Sequence, residues 1–379
     1  MIDYAVLKVI WWLLIGLFLV GFALMDGFAL GVGALLPFLG KTDLQRRCMI
    51  NTIAPHWCGN LAWLLTGIGA IFAAWPLFYS AAFSSFYWIL HLALFALILR
   101  PVAIEFRSKV PSQRWRSCWD SVLFAASLLA PLLFGVLIGN LLLGVPFHFD
   151  ENMRPIYTGS FWTLLSPFAL FYAVTTLTMF VVHGASWLVY KTEDTLQQRA
   201  SIIAAVAATI AALLFIIGGI WAYVGIDGYV ASLGLSPSGP ANPLAKTVDI
   251  YSDGWFANFL RHPALFALPI LSFVGETAVV VFARRHLGFS AMLSSGLAIL
   301  CAVFTPPVAM FPFVLPSSTN PNMSLTIWDC CSSQLTLEIT LLAVVILLPV
   351  VLGYTAWAYK VMHGKITDEY IRQNDLTLY

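Results

Sequence analysis

Charge is what this sequence has least of. Of its 379 residues, 19 are Lys or Arg and 18 are Asp or Glu, so 10% of the chain is charged against 60% hydrophobic. So few ionisable side chains cannot coat a water-soluble globule of this length. The net charge of +1, with basic residues in short clusters and no stripe, excludes a nucleic-acid partner. Cysteine and histidine are scarce as well. The six cysteines have no zinc spacing, and the histidines at 56, 91, 148, 183, 262, 286 and 363 form neither HxxxH nor CxxCH. An axial haem pair would fall to His91 and His183, each within an apolar span, and would also need a cavity. No basic leader with a small-residue cleavage site precedes the first apolar run, so no cleavable signal is expected.

Long apolar runs are what the chain has, and its mean hydropathy is +0.87. A crossing needs about 20 apolar residues for a hydrocarbon core of about 30 Å. Nine spans are expected, near 6–36, 51–76, 80–100, 119–144, 161–189, 200–224, 263–283, 289–313 and 333–359. The first is too long for one straight crossing, so it must tilt or emerge into water. The fold class is an all-α integral membrane protein.

Alternate connections collect all but Lys8, Arg154, Lys246 and Arg261 of the 19 Lys and Arg. By the positive-inside rule that places the N-terminus outside and the C-terminus in the cytoplasm, and it supports an odd number of spans. The outer segment 225–262 is rich in Gly, Pro and Ser and is not expected to form one regular element. In a second outer loop, the adjacent Cys330 and Cys331 are either an oxidised vicinal pair or free thiols. KTDLQRRCMINTIA at 41–54 and KTEDTLQQRASIIAA at 191–205 echo each other weakly. They suggest two four-helix units, 1–150 and 151–320, with a ninth helix and tail at 321–379.

Ionisable groups at membrane depth are expensive and mark function by default. Asp26 lies in LMDGFALGVGALL, where Gly27 with Gly31 and Ala29 with Gly33 make two small-xxx-small pairs for close helix packing. The plain reading is packing glycines plus one interhelical aspartate. In APHWCGN, His56, Asn60 and Trp63 fall on one helical stripe and Cys58 faces away; Pro55 suits a first turn, with Asn51 or Thr52 as cap. Alone, His56 reads as a satisfied interfacial histidine. With Asp26 and with Glu105 in ILRPVAIEFRSK, it reads as part of a hydrated inlet.

The stretches MDGFALGVG, INTIAPHWCGNLAWL, FAAWP, LRPVAIEFRSK, GNLLLGVPF, GIDGYV and AMFPFVLPSSTNPNMSLTIWDCCSSQLTL resemble subunit II of the bacterial cytochrome bd ubiquinol oxidases, over essentially the whole chain. The resemblance implies a heterodimer with a haem-bearing subunit I, often with a small single-helix subunit, in the bacterial inner membrane among quinol and lipids. It implies that haem b and haem d are held by subunit I, and that this chain stabilises it, contributes a cytoplasmic proton inlet and can hold a ubiquinone. Asp26, His56, Asn60, Trp63, Glu105 and Tyr379 match the family; Trp57, Trp63 and Arg100 are candidate quinone or partner contacts. Two positions depart from it. Ala29 and Cys58 stand where the family usually has acidic residues, which leaves either an altered proton path or a purely structural partner. A secondary transporter built from repeats is the reading from another class.

Overall fold

With no water at hand, a chain crossing a bilayer must bond its own peptide groups, and a helix does so within each span. The computed structural model describes residues 2–374 and 378–379. Its helices are α1 (Tyr4–Met25), α2 (Gly27–Leu39), α3 (Asp43–Ile53), α4 (Trp57–Ala74), α5 (Pro76–Ser85), α6 (Tyr87–Arg107) and α7 (Gln113–Leu143). There follow α8 (Pro167–Lys191), α9 (Asp194–Gly225), α10 (Ala257–Arg261), α11 (Ala267–Arg284), α12 (Gly288–Met310), α13 (Gln334–Val361) and α14 (Asp368–Gln373). Among the described residues, nine helices are long and apolar enough to cross a membrane, the first being the combined run Tyr4–Leu39. At 36 residues that run is about 54 Å long, well beyond one core thickness.

The spans fall where the apolar runs predict, with two shifted boundaries. The second begins at Trp57, because Pro55 has no N–H with which to continue the ladder of α3. Asn51 and Thr52 therefore lie inside α3 and do not cap the second span; the residue at its N-cap is His56. The third begins at Tyr87, later than expected. Trp75 leaves the helical region (φ −128°, ψ 66°), Pro76 restarts the chain as the short α5, and Phe86 breaks it again.

Small residues set the helix spacing. A Cβ on Gly31 would lie 1.9 Å from the Phe180 carbonyl oxygen, and one on Gly184 would lie 2.5 Å from the Gly31 carbonyl carbon, so α2 and α8 meet backbone to backbone. Gly33 opens instead toward Ser127 of α7, and Gly135 and Gly139 of α7 receive the Ala173 and Ala169 backbone of α8. The first small-xxx-small pair thus serves α8, and the second is shared with α7. One core cluster runs through these contacts from α1 to α12.

The end of the bundle poor in Lys and Arg is closed by three antiparallel hairpins: β1 (Phe147–Phe149) with β2 (Pro155–Tyr157), β3 (Gly228–Leu233) with β4 (Thr247–Tyr251), and β5 (Phe313–Leu315) with β6 (Leu325–Thr326). The fully buried Lys8 ammonium ties two of these loops together, donating to the carbonyls of Pro237 (3.1 Å), Gly239 (3.1 Å) and Trp328 (2.8 Å). Lys246 and Asp329 add a buried ion pair at 2.7 Å. Cys330 and Cys331 are buried free thiols, and the Cys331 thiol donates to the Ile327 carbonyl at 3.0 Å.

Because Gly31 faces backbone atoms that cannot step aside, Gly31→Ala should destabilise the protein by about 1–3 kcal/mol, lowering the thermal midpoint of the purified protein. Gly59→Ala, which meets nothing within 4 Å, should leave that midpoint unchanged.

Candidate functional site at the basic rim

The site begins with a flaw in a helix. Asp26 separates α1 from α2; its N–H bonds Phe22 and its carbonyl accepts from Leu30, and the carbonyls just before it, those of Leu24 and Met25, are where other helices attach. Inside a bilayer such groups cannot turn to water. Neighbouring side chains satisfy both: His183 of α8 bonds the Leu24 carbonyl at 2.9 Å, and Asn60 of α4 donates to the Met25 carbonyl at 2.6 Å.

Asp26 itself is fully buried and accepts two parallel bonds from Arg100 of α6, at 2.6 and 2.7 Å. A bidentate guanidinium–carboxylate pair is the strong form of this contact. Asn60 also accepts from the Tyr359 hydroxyl of α13 at 3.0 Å. The Tyr359 ring lies flat on His56 (centroids 4.2 Å apart, planes 11° apart), and His56 meets Trp187 of α8 edge-on at 6.0 Å. Trp63 fills the notch at Gly21 of α1. Burial, with the positive charge of Lys191 adding to it, pushes the His56 imidazole down to about 4. Its ring is thus neutral under ordinary conditions.

Further out, three helices exchange charge. Asp120 of α7 accepts from Arg107 of α6 and from Arg46 of α3 (2.8 Å), while Asp43 accepts from Arg107 (2.8 Å) and Arg116 (2.9 Å). The segment after α13 is drawn across this rim. Lys191 donates to the carbonyls of Met362 (2.9 Å) and Gly364 (3.1 Å), and the Cys48 thiol meets Asp368 at 3.4 Å. Asn51 then grips the main chain of Tyr379 at both its N–H (3.1 Å) and its oxygen (2.8 Å). The Tyr379 hydroxyl bonds Glu105, and burial together with that carboxylate raises its pKa.

The structure therefore gathers Asp26, His56, Asn60, Trp63 and Arg100 at one point, and Glu105 with Tyr379 at the rim beside it. Cys58 is exposed and turned away, Trp57 is half-buried, and Ala29 is sealed within the helix packing. Arg100, a candidate for an outside ligand, is engaged by Asp26. Sequence reasoning missed Tyr359 and Trp187, which carry no charge to betray them. It also left Asp26 and Arg100 unpaired, although an intramembrane arginine calls for a carboxylate.

His91 and His183 do not form an axial pair within this chain. His183 has both ring nitrogens occupied, by the Leu24 carbonyl and by the Ser295 hydroxyl at 2.7 Å. His91 lies exposed on α6 with Nδ1 bonded to the Tyr87 carbonyl at 2.8 Å. Among the described residues, no group of three or more His, Cys, Asp or Glu is placed to hold a metal ion.

Nine apolar spans among the described residues, with a cluster of buried polar groups toward the basic end, define the class: a polytopic helical membrane protein. The family described as cytochrome bd terminal oxidase subunit II matches residues 7–362. The chain is 47% identical over 379 residues to the cytochrome bd-I ubiquinol oxidase subunit 2 of Escherichia coli (strain K12), covering 100% of both. It is 45% identical over 379 residues, again 100% of both, to the probable cytochrome oxidase subunit 2 of Haemophilus influenzae. To the cytochrome bd ubiquinol oxidase subunit 2 of Bacillus subtilis it is 30% identical over 361 residues, 95% of this chain and 97% of that one. The fold matches a chain in the structure of bd oxidase from Geobacillus thermodenitrificans, with a TM-score of 0.66 at 14% identity, covering 94% of this chain and 98% of that one. This chain belongs to the cytochrome bd terminal oxidase subunit II family. It is a multi-pass protein of the bacterial inner membrane and a subunit of an oxidoreductase complex, not a catalyst on its own.

Two outcomes follow from the geometry. Asp26→Asn or Arg100→Gln alone, each leaving one buried charge unpaired, should cost about 3–5 kcal/mol, and the double variant less than their sum, read as thermal midpoints of the assembled complex. The His56 contribution has the opposite sign from a salt-bridged histidine. With its pKa depressed from about 6.5 to about 4, stability present above pH 6.5 is lost as pH falls toward 4, because the unfolded chain takes up the proton first. His56→Phe, which keeps the stack on Tyr359, should flatten the midpoint-against-pH curve in that window.

Proposed function

We propose that the chain is the haem-free partner of a haem-bearing subunit I in a quinol-oxidising bd-type complex, holding that subunit in place and lending it a proton inlet from the cytoplasm. Haem b and haem d belong to subunit I in this reading; quinol, a small single-helix subunit and lipids complete its surroundings. The basic rim is the cytoplasmic face, in keeping with the skew of Lys and Arg toward it. The units 1–150 and 151–320 are two four-helix halves that share a core across α2 and α8, and α13 is the added helix.

The observation that carries the inlet is the run of polar groups on and around α6. Glu105 stands at the rim under the Tyr379 hydroxyl, and Arg100, five residues or about 7.5 Å deeper, holds Asp26. Asn60 and Tyr359 form a second set of bonds nearby, to the Met25 carbonyl and to each other, that reaches α13. The buried charges of Asp26 and Arg100 cancel, so the pair is a fixed dipole, and Glu105 is the carboxyl of α6 that stands outside it. Taking protons from the inside converts redox energy into membrane potential, at about 2.3 kcal/mol per charge across 100 mV. Trp57 is left as the contact for a ubiquinone or the partner.

A second reading is favoured by one observation. Cys58 is exposed and points away from Asn60, and Ala29 is enclosed without a polar function, so both altered positions lie off the hydrogen-bonded line. A chain that had lost its inlet and kept only its structural duty would look the same there.

Proton uptake and turnover of the complete oxidase in liposomes separate the two. Glu105→Gln should slow proton-coupled turnover about tenfold, equivalent to about 1.4 kcal/mol, while Cys58→Asp, at an exposed position away from these groups, should leave it unchanged. If Glu105→Gln matches the parent in turnover and charge movement, the inlet role is lost and the structural reading stands.

A further inference from the structure

Another carboxyl of the membrane-spanning region is used by neither the motifs nor the rim. Glu276 lies on α11, where Ser272, Gly275, Glu276, Val279 and Ala283 form the buried stripe of the helix. It is 1% exposed, and both of its carboxyl oxygens lack a hydrogen-bond partner. Eight residues separate it from Arg284, about 12 Å of helix rise, which puts it near the middle of a core about 30 Å thick.

The surrounding helices offer it nothing. On α12 the backbone closes against Gly275 at Ser294 and Ala298; the Ala298 carbonyl is taken by the Ser272 hydroxyl at 3.1 Å, and the only titratable side chain on that helix is Cys301. The facing part of α9 is an alanine stripe including Ala204, Ala208 and Ala211, with no charged residue between 201 and 222, and the Ser201 hydroxyl is committed to the Ala283 carbonyl. On α8, His183 already spends both ring nitrogens and Lys191 is bonded to the tail at the rim. The 3-10 turn 263–266 ahead of α11 carries no titratable side chain. Because Glu276 is enclosed by its own chain, a partner subunit cannot bring it a cation without parting α11 from its neighbours. An ionised carboxylate with no donor and no counter-charge is not sustained in such surroundings; the group neutralises instead.

We propose that Glu276 is a proton-binding site within the bilayer: the side chain is held as an uncharged carboxylic acid, and releases its proton only when α9 and α11 separate enough to admit water. This site is independent of the rim cluster. It is also the kind of group that hydrophobic carbodiimides modify. The carboxyl proton passes to a carbodiimide nitrogen and the carboxyl oxygen bonds the central carbon. Migration of the acyl group to nitrogen then leaves a stable N-acylurea containing every atom of the reagent.

The test uses the complete oxidase in lipid nanodiscs, comparing the parent with Glu276→Gln by infrared absorption at neutral pH, and by peptide mass mapping after treatment with dicyclohexylcarbodiimide. The expected result is loss of a carboxylic-acid C=O band and loss of one carbodiimide adduct in the variant, with assembly at the parent's yield, since an amide stands in for a neutral acid. Spectra that differ only in ionised-carboxylate bands, with no adduct on the Glu276 peptide of the parent, overturn the proposal. Should Glu276→Gln fail to assemble, Glu276→Asp takes its place: a shifted carboxylic-acid band supports the site, and an unshifted spectrum overturns it.

Discussion

A helix that breaks inside a membrane must find partners for the carbonyls it releases, and this subunit is organised around one such break. At Asp26 the first span is interrupted, just past the carbonyls of Leu24 and Met25. His183 and Asn60 fill them from two other helices, and Arg100 neutralises the aspartate from a third. Each of those side chains is then fixed in turn, His183 by Ser295 and Asn60 by Tyr359. The interruption draws α4, α6, α8, α12 and α13 to the first span, with an ion pair on one side of it and an amide with a phenol on the other.

The close approach of α2 and α8 belongs to the same arrangement. Only glycine at 31 and 184 lets the two backbones touch, and that contact brings Trp187 and His183 of α8 up to Phe28 and the α1 carbonyls. Packing and polar satisfaction here are one construction, since widening the interface would also withdraw a hydrogen-bond donor. At the opposite end, Lys8 plays a comparable part with backbone carbonyls alone, using one ammonium to tie loops more than 200 residues away in sequence to the first helix.

Much of this was legible beforehand. Apolar length alone announces the spans, and the skew of Lys and Arg marks one end of the bundle as basic. APHWCGN reveals its stripe through spacing, and His56 and Asn60 do share a face, with Cys58 turned away. What escaped was pairwise and non-local. Nothing near Arg100 in sequence says that its carboxylate stands 74 positions away, and Tyr359 and Trp187 read as ordinary aromatic residues of apolar spans. The start of the second span was misplaced because Asn51 looked like a cap while its amide was needed for the main chain of Tyr379. Glu276 was overlooked for a different reason: it sits among apolar residues with no motif around it, and its lack of partners is visible only once the helices are assembled.

The ninth span is nearly bare, with only 6% of its most apolar stretch buried within the chain. Yet this helix supplies Tyr359, whose hydroxyl completes Asn60 and whose ring covers His56. Lys191 and the tail secure its basic end, and along its length it rests one face on α1 and α4 while the rest of its surface faces outward. The helix that closes the polar cluster is thus also the span with most of its surface open to lipid or to a neighbouring subunit.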